Sequence, residues 1–292
     1  MAENSCKLNI GGLLIRFTGI PLKAERFTLP FLVREGYESE EADHTIHVTA
    51  EDEMHIPEGR PIFRNDMIRC FEDGDTVRTG RIRIRGEIPY AVSTDVRGEH
   101  RTELALERYT LDWDDWLRRV LLYCSLPHIM LDNGRLMLHA SYALTDKGGI
   151  VFCAPSGKGK STQADLWQRH RGAEVINGDR AILRPTEEDG VLVYSMPFAG
   201  TSGICKNRDS SLRAAVTIRW AESSSATRLG GAAAVRALLE NSVVESWRRD
   251  ENHKAAELAM RIASEAPVIR LDCTPDETAV DALEKLLDEL GV

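Results

Sequence analysis

The pattern of hydrophobic and polar positions divides the chain into two parts. Before about residue 110 it has the two-residue period of half-buried strands, as in Thr45–Thr49, where Ile46 and Val48 share one face. Residues 81–85 alternate more strictly, placing three arginines on one face, which we expect to be a solvated surface or a weak anion contact. After residue 110, strand-like and helix-like segments follow one another in turn, which is typical of an α/β sheet.

Period and length assign the elements of the second part. The predicted strands are Leu136–Leu144, Ile150–Cys153, Val175–Ile176, Ala181–Leu183, Val191–Tyr194, Ala214–Trp220 and Val268–Leu271. The predicted helices are Ser161–Arg169, Ala232–Glu240, Lys254–Ala263 and a last helix after the capping box Thr274–Glu277. An earlier helix ends at Leu126 because Pro127 follows it. We therefore predict a β-rich module over residues 1–126 and an α/β domain over residues 127–292.

Composition and charge narrow the class of protein. The 292 residues fit one large α/β unit or two domains, and 42% hydrophobic with 28% charged residues excludes disordered and fibrous proteins. The 46 acidic and 37 basic residues give a net charge of −9, which argues against a general nucleic-acid-binding protein. A local anion site remains compatible with this charge, because nearby groups set the field of a pocket.

The cysteines and the start of the chain suggest a compartment. The six cysteines are scattered singly, so neither a disulfide framework nor a zinc site is expected. The first residues lack the basic and then apolar pattern of a signal peptide. The longest apolar runs are far shorter than the roughly 20 residues of a membrane helix. We expect a soluble cytoplasmic protein with reduced thiols and no membrane partner.

The segment Ala154–Thr162, with the sequence APSGKGKST, carries the strongest chemical signal. It lies between a predicted strand and a predicted helix, which is the setting that a phosphate-binding loop requires. Gly157 and Gly159 allow successive backbone N–H groups to turn toward phosphate oxygens, and a helix that begins near Lys160 directs its positive dipole end there. Ala154 replaces the usual first glycine of such loops.

This loop predicts ATP and Mg²⁺ as ligands. Lys160 is expected to pair with the β- and γ-phosphates, and the Ser161 hydroxyl is expected to complete the coordination of Mg²⁺. The residues predicted to bind the nucleotide are Ser156, Gly157, Lys158, Gly159, Lys160, Ser161 and Thr162.

Around the loop the sequence resembles the HPr kinase/phosphorylase family and its phosphoenolpyruvate-carboxykinase-like relatives. Those proteins share a Ser-Gly-x-Gly-Lys-Ser/Thr loop, a histidine on the strand before it and an acidic motif after it. Here His139 lies 21 residues before Lys160 and Asp179 lies 19 residues after it. Met196–Gly200, with Asn207, also looks like the small kinase-like members. The resemblance implies a mixed-sheet P-loop kinase domain behind the β-rich module.

The resemblance also implies roles for individual residues. Lys160 contacts the phosphates, and His139 orients groups or contacts phosphate. Asp179 accepts the proton of the acceptor hydroxyl, binds metal, or does both, because family members often carry two adjacent acids where this chain has Gly178 and Asp179. The reverse phosphorylase reaction is left open. On an extended segment Arg180 would point away from Asp179 and anchor structure instead.

A second basic set follows the glycine-rich segment Gly200–Gly203. Its members are Lys206, Arg208 and Arg213. They could belong to a lid that brings cations to the phosphates, or to a solvated surface loop, and both alternatives stay open.

The resemblance implies an ATP-dependent kinase that transfers the γ-phosphoryl group to a hydroxyl, with a serine of a peptide or small protein as the expected acceptor. One alternative is a kinase for a small metabolite such as a free amino acid or a sugar alcohol. Another is a regulatory module that binds or hydrolyses ATP without transfer. The expected partners are ATP or ADP and the acceptor, and the parent family's assemblies point to a homo-oligomer.

Overall fold

The computed structural model describes residues 5–19, 26–33, 41–83, 86–109, 116–155 and 157–292. The chain forms two compact units. The first contains Met1–Ile129 together with Glu245–Arg249, and the second contains Met130–Val244 and Asp250–Val292. The first division along the chain lies after Ile129. The return of Glu245–Arg249 to the first unit has no local sequence signal, because it depends on tertiary contacts.

The first unit is built on an eight-stranded mixed sheet. Its strands are β1 (Cys6–Ile10), β2 (Leu13–Thr18), β3 (His44–Glu51), β4 (Arg60–Arg64), β5 (Ile68–Asp73), β6 (Thr76–Ile82), β7 (Pro89–Val96) and β8 (Arg101–Glu107). Their order is β1-β2-β3-β8-β7-β6-β5-β4. β3 pairs in parallel with β2 and β8. As the alternation predicts, Ile46 and Val48 are fully buried on one face of β3.

The arginines of residues 81–85 do not share one open face. β6 ends at Ile82, so the strict alternation extends beyond the strand. Arg81 pairs with Glu245 and is largely buried, whereas Arg83 pairs with Glu107 at the surface. Arg85 lies outside the described residues. Charge pairing therefore replaces the solvated face that the sequence predicts.

A buried charged cluster lies inside the first unit. The guanidinium of Arg248 donates to Asp95 Oδ2 at 2.5 Å, to Glu245 Oε2 at 2.6 Å and to Ser125 Oγ at 2.9 Å. Burial alone would raise the pKa of Glu245, but the Arg248 and Arg81 guanidiniums overcome this effect and hold the pKa below its usual value. The cluster thus consists of charges that compensate one another.

Two helices follow this sheet, α1 (Trp116–Tyr123) and α2 (Leu126–Asp132). The predicted end of the earlier helix at Leu126 is wrong, because α1 ends at Tyr123 and Leu126 already belongs to α2. Pro127 lies in the first turn of α2. Proline is tolerated there because first-turn N–H groups have no partner within the helix.

The second unit contains another eight-stranded mixed sheet and four helices among its described residues. The strands are β9 (Leu136–Thr145), β10 (Gly148–Cys153), β11 (Glu174–Asn177), β12 (Arg180–Pro185), β13 (Val191–Ser195), β14 (Asp209–Trp220), β15 (Ser225–Leu229) and β16 (Val268–Cys273). The order is β10-β9-β12-β13-β14-β16-β15, with β11 on β9 and a further pairing of β10 with β14. The helices are α3 (Lys160–Arg171), α4 (Gly231–Glu240), α5 (Glu251–Glu265) and α6 (Glu277–Glu289).

Both faces of the second sheet are covered, which explains the continuous apolar sequence of β10. Val151 packs in a core that includes Ala259 and Ile262 of α5. Phe152, on the opposite face, packs in a core with Trp167 of α3 and Leu283 of α6. Strands buried on both faces carry apolar residues at nearly every position and do not alternate with polar ones. The mixed α/β fold of this part agrees with the predicted alternation of strands and helices.

The last helix begins later than predicted. Its N-cap is Asp276, whose side chain accepts from the N–H of Thr278. Thr274, the expected cap, instead bonds the hydroxyls of Ser224 and Thr278. Asp276 has the same capping chemistry and is one position from the helix, so it takes this role. Among the described helices, none is long and apolar enough to cross a membrane.

Candidate functional site

The predicted strand–loop–helix arrangement is present in the second unit. β10 ends at Cys153, the loop follows, and α3 begins at Lys160. Gly157 and Gly159 have φ angles of 73° and 98°, in the left-handed region that favours glycine. A Cβ added to Gly157 would meet no other atom within 4 Å, so there is open space next to the loop.

Three more of the predicted loop residues have exposed side chains. Lys158, Ser161 and Thr162 are exposed, so their polar groups are accessible to a ligand. Ser156 lies outside the described residues.

Lys160 bends back over its own loop. Its ammonium donates to the carbonyl of Ala154 at 2.9 Å and to that of Pro155 at 3.4 Å, and the residue is only 6% exposed. Burial lowers the pKa of Lys160, while the carboxylate of Asp179 acts in the opposite direction. The lysine is therefore a buried cation held by carbonyl dipoles and within the electrostatic reach of Asp179.

His139 and Asp179 meet beside the loop. β9 pairs Ala140 with Cys153, the last residue of β10, so His139 is placed next to the start of the loop. His139 Nε2 lies 3.4 Å from Asp179 Oδ1. Burial lowers the pKa of His139, and the Lys160 ammonium acts in the same direction, while Asp179 opposes them. The fold thus brings together the three residues predicted to act in catalysis.

Arg180 contacts Asp179, which corrects the expectation that it points away. Its Nε donates to Asp179 Oδ2 at 3.2 Å. Asp179 lies in a bend between β11 and β12, so the side-chain alternation of a strand does not apply to this pair. Asp179 therefore has an imidazole at one carboxylate oxygen and a guanidinium at the other.

The fully buried side chain of Asn177 holds this bend. Its Oδ1 accepts from the N–H of Asp179 at 2.9 Å and from that of Arg180 at 3.0 Å. Its Nδ2 donates to Met196 O at 2.8 Å and to Ser195 Oγ at 3.0 Å. Sequence reasoning missed Asn177, although an Asn-Gly pair before a single carboxylate is a signal for a side-chain-stabilised turn.

The turn Ala199–Gly203 packs against Gly178 and Asp179. A Cβ added to Gly178 would lie 2.0 Å from Ser202 Oγ, and one added to Gly200 would lie 2.8 Å from the Asp179 Cβ. Ser202 thus occupies the space that a side chain at position 178 would need. A side chain at position 178 would therefore require Ser202 to move.

The structure does not bring the predicted cations Lys206, Arg208 and Arg213 to the loop. Lys206 Nζ lies 2.7 Å from Glu174 Oε1, and Arg208 NH1 lies 3.5 Å from Glu174 Oε2. Cys205 pairs antiparallel with Asn177, so the residues after Cys205 run away from Asp179 toward the start of β11. Lys206 and Arg208 therefore pair with Glu174, at the other end of β11 from Asp179.

Arg213 lies still further from the loop. Its neighbour Leu212 pairs with Gly149, at the opposite end of β10 from the loop. The guanidinium of Arg213 is 3.4 Å from Asp288 Oδ1 and 6.0 Å from the ring centroid of Trp167. Through these contacts Arg213 packs against α3 and α6.

A cavity of about 650 Å³ opens on the other side of the loop. β14 and β16 run parallel to β10, so their carboxyl ends reach the same edge of the sheet as the loop. Lys158 and Thr162 line the cavity from the loop, and Ile218, Trp220 and Thr274 line it from the strand ends. Sequence reasoning missed this cavity, because its wall comes from segments more than 50 residues apart.

Comparison with known proteins gives a distant structural likeness. No protein-family model and no curated protein sequence matches this chain. The solved structures that match it include the Hpr(Ser) kinase/phosphatase from Coxiella burnetii. That protein is 10% identical with a TM-score of 0.32, and the match covers 53% of this chain and 99% of the other. A likeness of this degree carries no functional argument, so function is argued below from the site.

Proposed function

We propose that this protein is an ATP-dependent phosphotransferase of the kinase type. One observation carries the proposal: Lys160, His139 and Asp179 come together at an open glycine loop, with Asp179 influencing the Lys160 pKa and contacting His139. Phosphoryl transfer needs cationic and N–H donors for the phosphates and a carboxylate for the attacking hydroxyl. The described residues of the second unit supply each of these groups.

The loop has the features of a phosphate cradle. Left-handed glycines leave backbone N–H groups and open space where a Cβ would obstruct a ligand, and α3 begins directly behind them. Lys160 would exchange its two carbonyl partners for phosphate oxygens, which are stronger acceptors because they are charged. Its low exposure keeps water from competing for the ammonium.

The donor set also fits Mg²⁺, which prefers oxygen ligands. Ser161 is exposed at the start of α3, and together with the Asp179 carboxylate it would hold the ion. The ion would neutralise negative charge on the β- and γ-phosphates.

Asp179 would act as the base. The acceptor oxygen forms a bond to the γ-phosphorus, the bond from that phosphorus to the β–γ bridging oxygen breaks, and ADP leaves. The hydroxyl proton passes to the Asp179 carboxylate. His139, whose pKa is lowered, would act as a neutral imidazole that orients Asp179, and Asn177 holds the backbone of the bend in place.

A serine of a peptide or small protein is the acceptor that we propose, as the sequence resemblance implies. A second function, ATP binding or hydrolysis in a regulatory module, is favoured by one observation. Ser202 excludes a second carboxylate at position 178, and binding needs only the loop whereas transfer needs in-line geometry as well.

The variant Asp179→Asn separates the two functions. We expect it to keep the Mg²⁺-free ADP affinity of the wild type. We expect it to lower transfer from γ-labelled ATP to an acceptor in peptide and metabolite pools by at least about 100-fold. Asp189→Asn, in an exposed turn, is the control and should leave transfer unchanged. Slow hydrolysis that responds neither to acceptors nor to Asp179→Asn would overturn the kinase function and favour the regulatory one. The identity of the labelled product distinguishes a peptide acceptor from a metabolite.

A further inference from the structure

The loop separates two chemically different sides of the second unit. β10 has β9 on one side and β14 on the other. The β9 side carries His139 and, through β12, Asp179. The β14 side carries the cavity and, among its lining residues, no carboxylate. A nucleotide with its phosphates on the loop and its terminal phosphate toward Asp179 must extend its nucleoside toward the cavity.

Trp220 gives the cavity an aromatic wall. It is the last residue of β14, opposite Cys273 at the end of β16, and it is 75% exposed. Ile218 and Pro275 add apolar surface beside it. An indole at the edge of a cavity offers a flat face on which a nucleobase can stack. Because the Trp220 side chain is so exposed, it is not there to pack the core of the described residues.

Gln163, which lines the same cavity, has an unused hydrogen-bond acceptor. It lies one turn after Lys160 on α3, lines the cavity and is 2% exposed. Its Nε2 contacts Cys273 Sγ at 3.3 Å, whereas its Oε1 is buried and has no hydrogen-bond partner among the described residues. Buried polar atoms without partners are uncommon and costly, so this one requires an explanation. A ligand that donates a hydrogen bond would provide it.

We propose that the cavity binds the nucleoside of the bound nucleotide. The base stacks on Trp220, and Gln163 Oε1 accepts a hydrogen bond from an amino or hydroxyl group of the nucleoside. This inference rests on the proposed function, because it needs a nucleotide on the loop. It assigns to Trp220 and Gln163 the tighter binding of a nucleotide than of the phosphate chain alone. The volume of about 650 Å³ lies within the range of small-molecule sites.

Calorimetric titration of the full chain with ADP and with inorganic tripolyphosphate, each with Mg²⁺, tests the stacking contact. We expect Trp220→Ala to weaken ADP binding about tenfold, which is the usual loss for one stacked base, and to leave tripolyphosphate binding unchanged. Met260→Ala, at an exposed apolar residue of α5 outside this cavity, is the matched control. Unchanged ADP affinity in Trp220→Ala, or an equal loss of tripolyphosphate affinity, overturns the proposal.

Gln163→Leu tests the hydrogen bond, with a readout that does not depend on affinity alone. We expect about tenfold weaker ADP binding together with an unchanged or higher thermal midpoint, since the variant removes a buried polar atom that lacks a partner. Inosine diphosphate, which lacks the amino group, and 2′,3′-dideoxy-ADP, which lacks both ribose hydroxyls, identify the donor. If Gln163→Leu no longer weakens the binding of one analogue, the group missing from that analogue is the donor. If Gln163→Leu weakens the binding of both analogues equally, the hydrogen bond is overturned.

These experiments distinguish the inference from the proposed function. If the wild-type chain binds neither ADP nor tripolyphosphate, the phosphate loop and this inference both fail. If it binds both and Trp220→Ala changes neither, the inference alone fails. Circular dichroism of each variant confirms that the chain is folded.

Discussion

Two buried cations, Arg248 in the first unit and Lys160 in the second, have opposite surroundings. They are 5% and 6% exposed. Burial would lower the pKa of Arg248, but the carboxylates of Glu245 and Asp95 reverse this effect and raise it. Burial does lower the pKa of Lys160, whose hydrogen-bond partners in the described residues are backbone carbonyls. A cation that is fully compensated by carboxylates serves the fold, whereas one held by carbonyl dipoles is available to an incoming anion.

The largest expected effect comes from breaking the compensated cluster. Arg248→Met should lower the free energy of unfolding by about 3–5 kcal/mol, because it leaves the buried carboxylate of Asp95 without its cation and Glu245 with Arg81 alone. Urea titration followed by circular dichroism measures the loss. Arg236→Met, at an exposed pair with Glu240 on α4, is the matched control and should cost less than about 1 kcal/mol. Equal effects of the two variants would contradict a structural role for the Arg248 cluster.

The equivalent substitution at the loop should act on binding instead of stability. Lys160→Met should weaken ADP binding by about 10- to 100-fold, since a hydrogen bond to a charged group contributes about 1.5–3 kcal/mol. The thermal midpoint should stay the same or rise, because a buried charge without a carboxylate partner is removed. Lys285→Met, at an exposed lysine of α6, is the control. A loss of stability comparable to that of Arg248→Met would show that Lys160 serves the fold.

A smaller effect is expected where Ser202 meets Gly178. Gly178→Ala should lower the free energy of unfolding by about 1–3 kcal/mol, because the new Cβ would lie 2.0 Å from Ser202 Oγ. Adding Ser202→Gly should restore most of the loss, since the nearest atom outside Ser202, Ala199 O, would lie 3.7 Å from the new Cβ. A urea titration of the two single variants and the double variant gives the coupling energy. Additive effects of the two substitutions would show that the contact with Ser202 does not restrict position 178 to glycine.

The smallest expected effect is the pH dependence at His139. Burial and then Lys160 lower its pKa in the folded chain, so the unfolded chain binds more protons below about pH 6.5. Stability from this group is present above that pH and decreases as the pH falls toward 5. His139→Gln should therefore lose less stability than the wild type between pH 7 and 5, as measured by thermal midpoints.

Local sequence patterns predicted much of the second unit. The observed bounds of β10 and α3 lie within two residues of the predicted ones, because a buried strand, paired glycines and a following helix are encoded within about 20 neighbouring residues. The patterns could not predict that Arg180 turns toward Asp179. That contact depends on the bend held by Asn177, whose amide reaches the carbonyl of Met196 nineteen residues later.

The sequence by itself therefore determined the glycine loop, its lysine and the order of strands and helices, since each depends on the conformational preferences of adjacent residues. The tertiary structure alone decided which side chains that are far apart in the sequence lie close together. It joined His139 to Asp179, paired Lys206 and Arg208 with Glu174, and opened a cavity beside Trp220. The physical reason is that strand pairing and burial operate between residues far apart in the chain, where periodicity and spacing carry no information about contact.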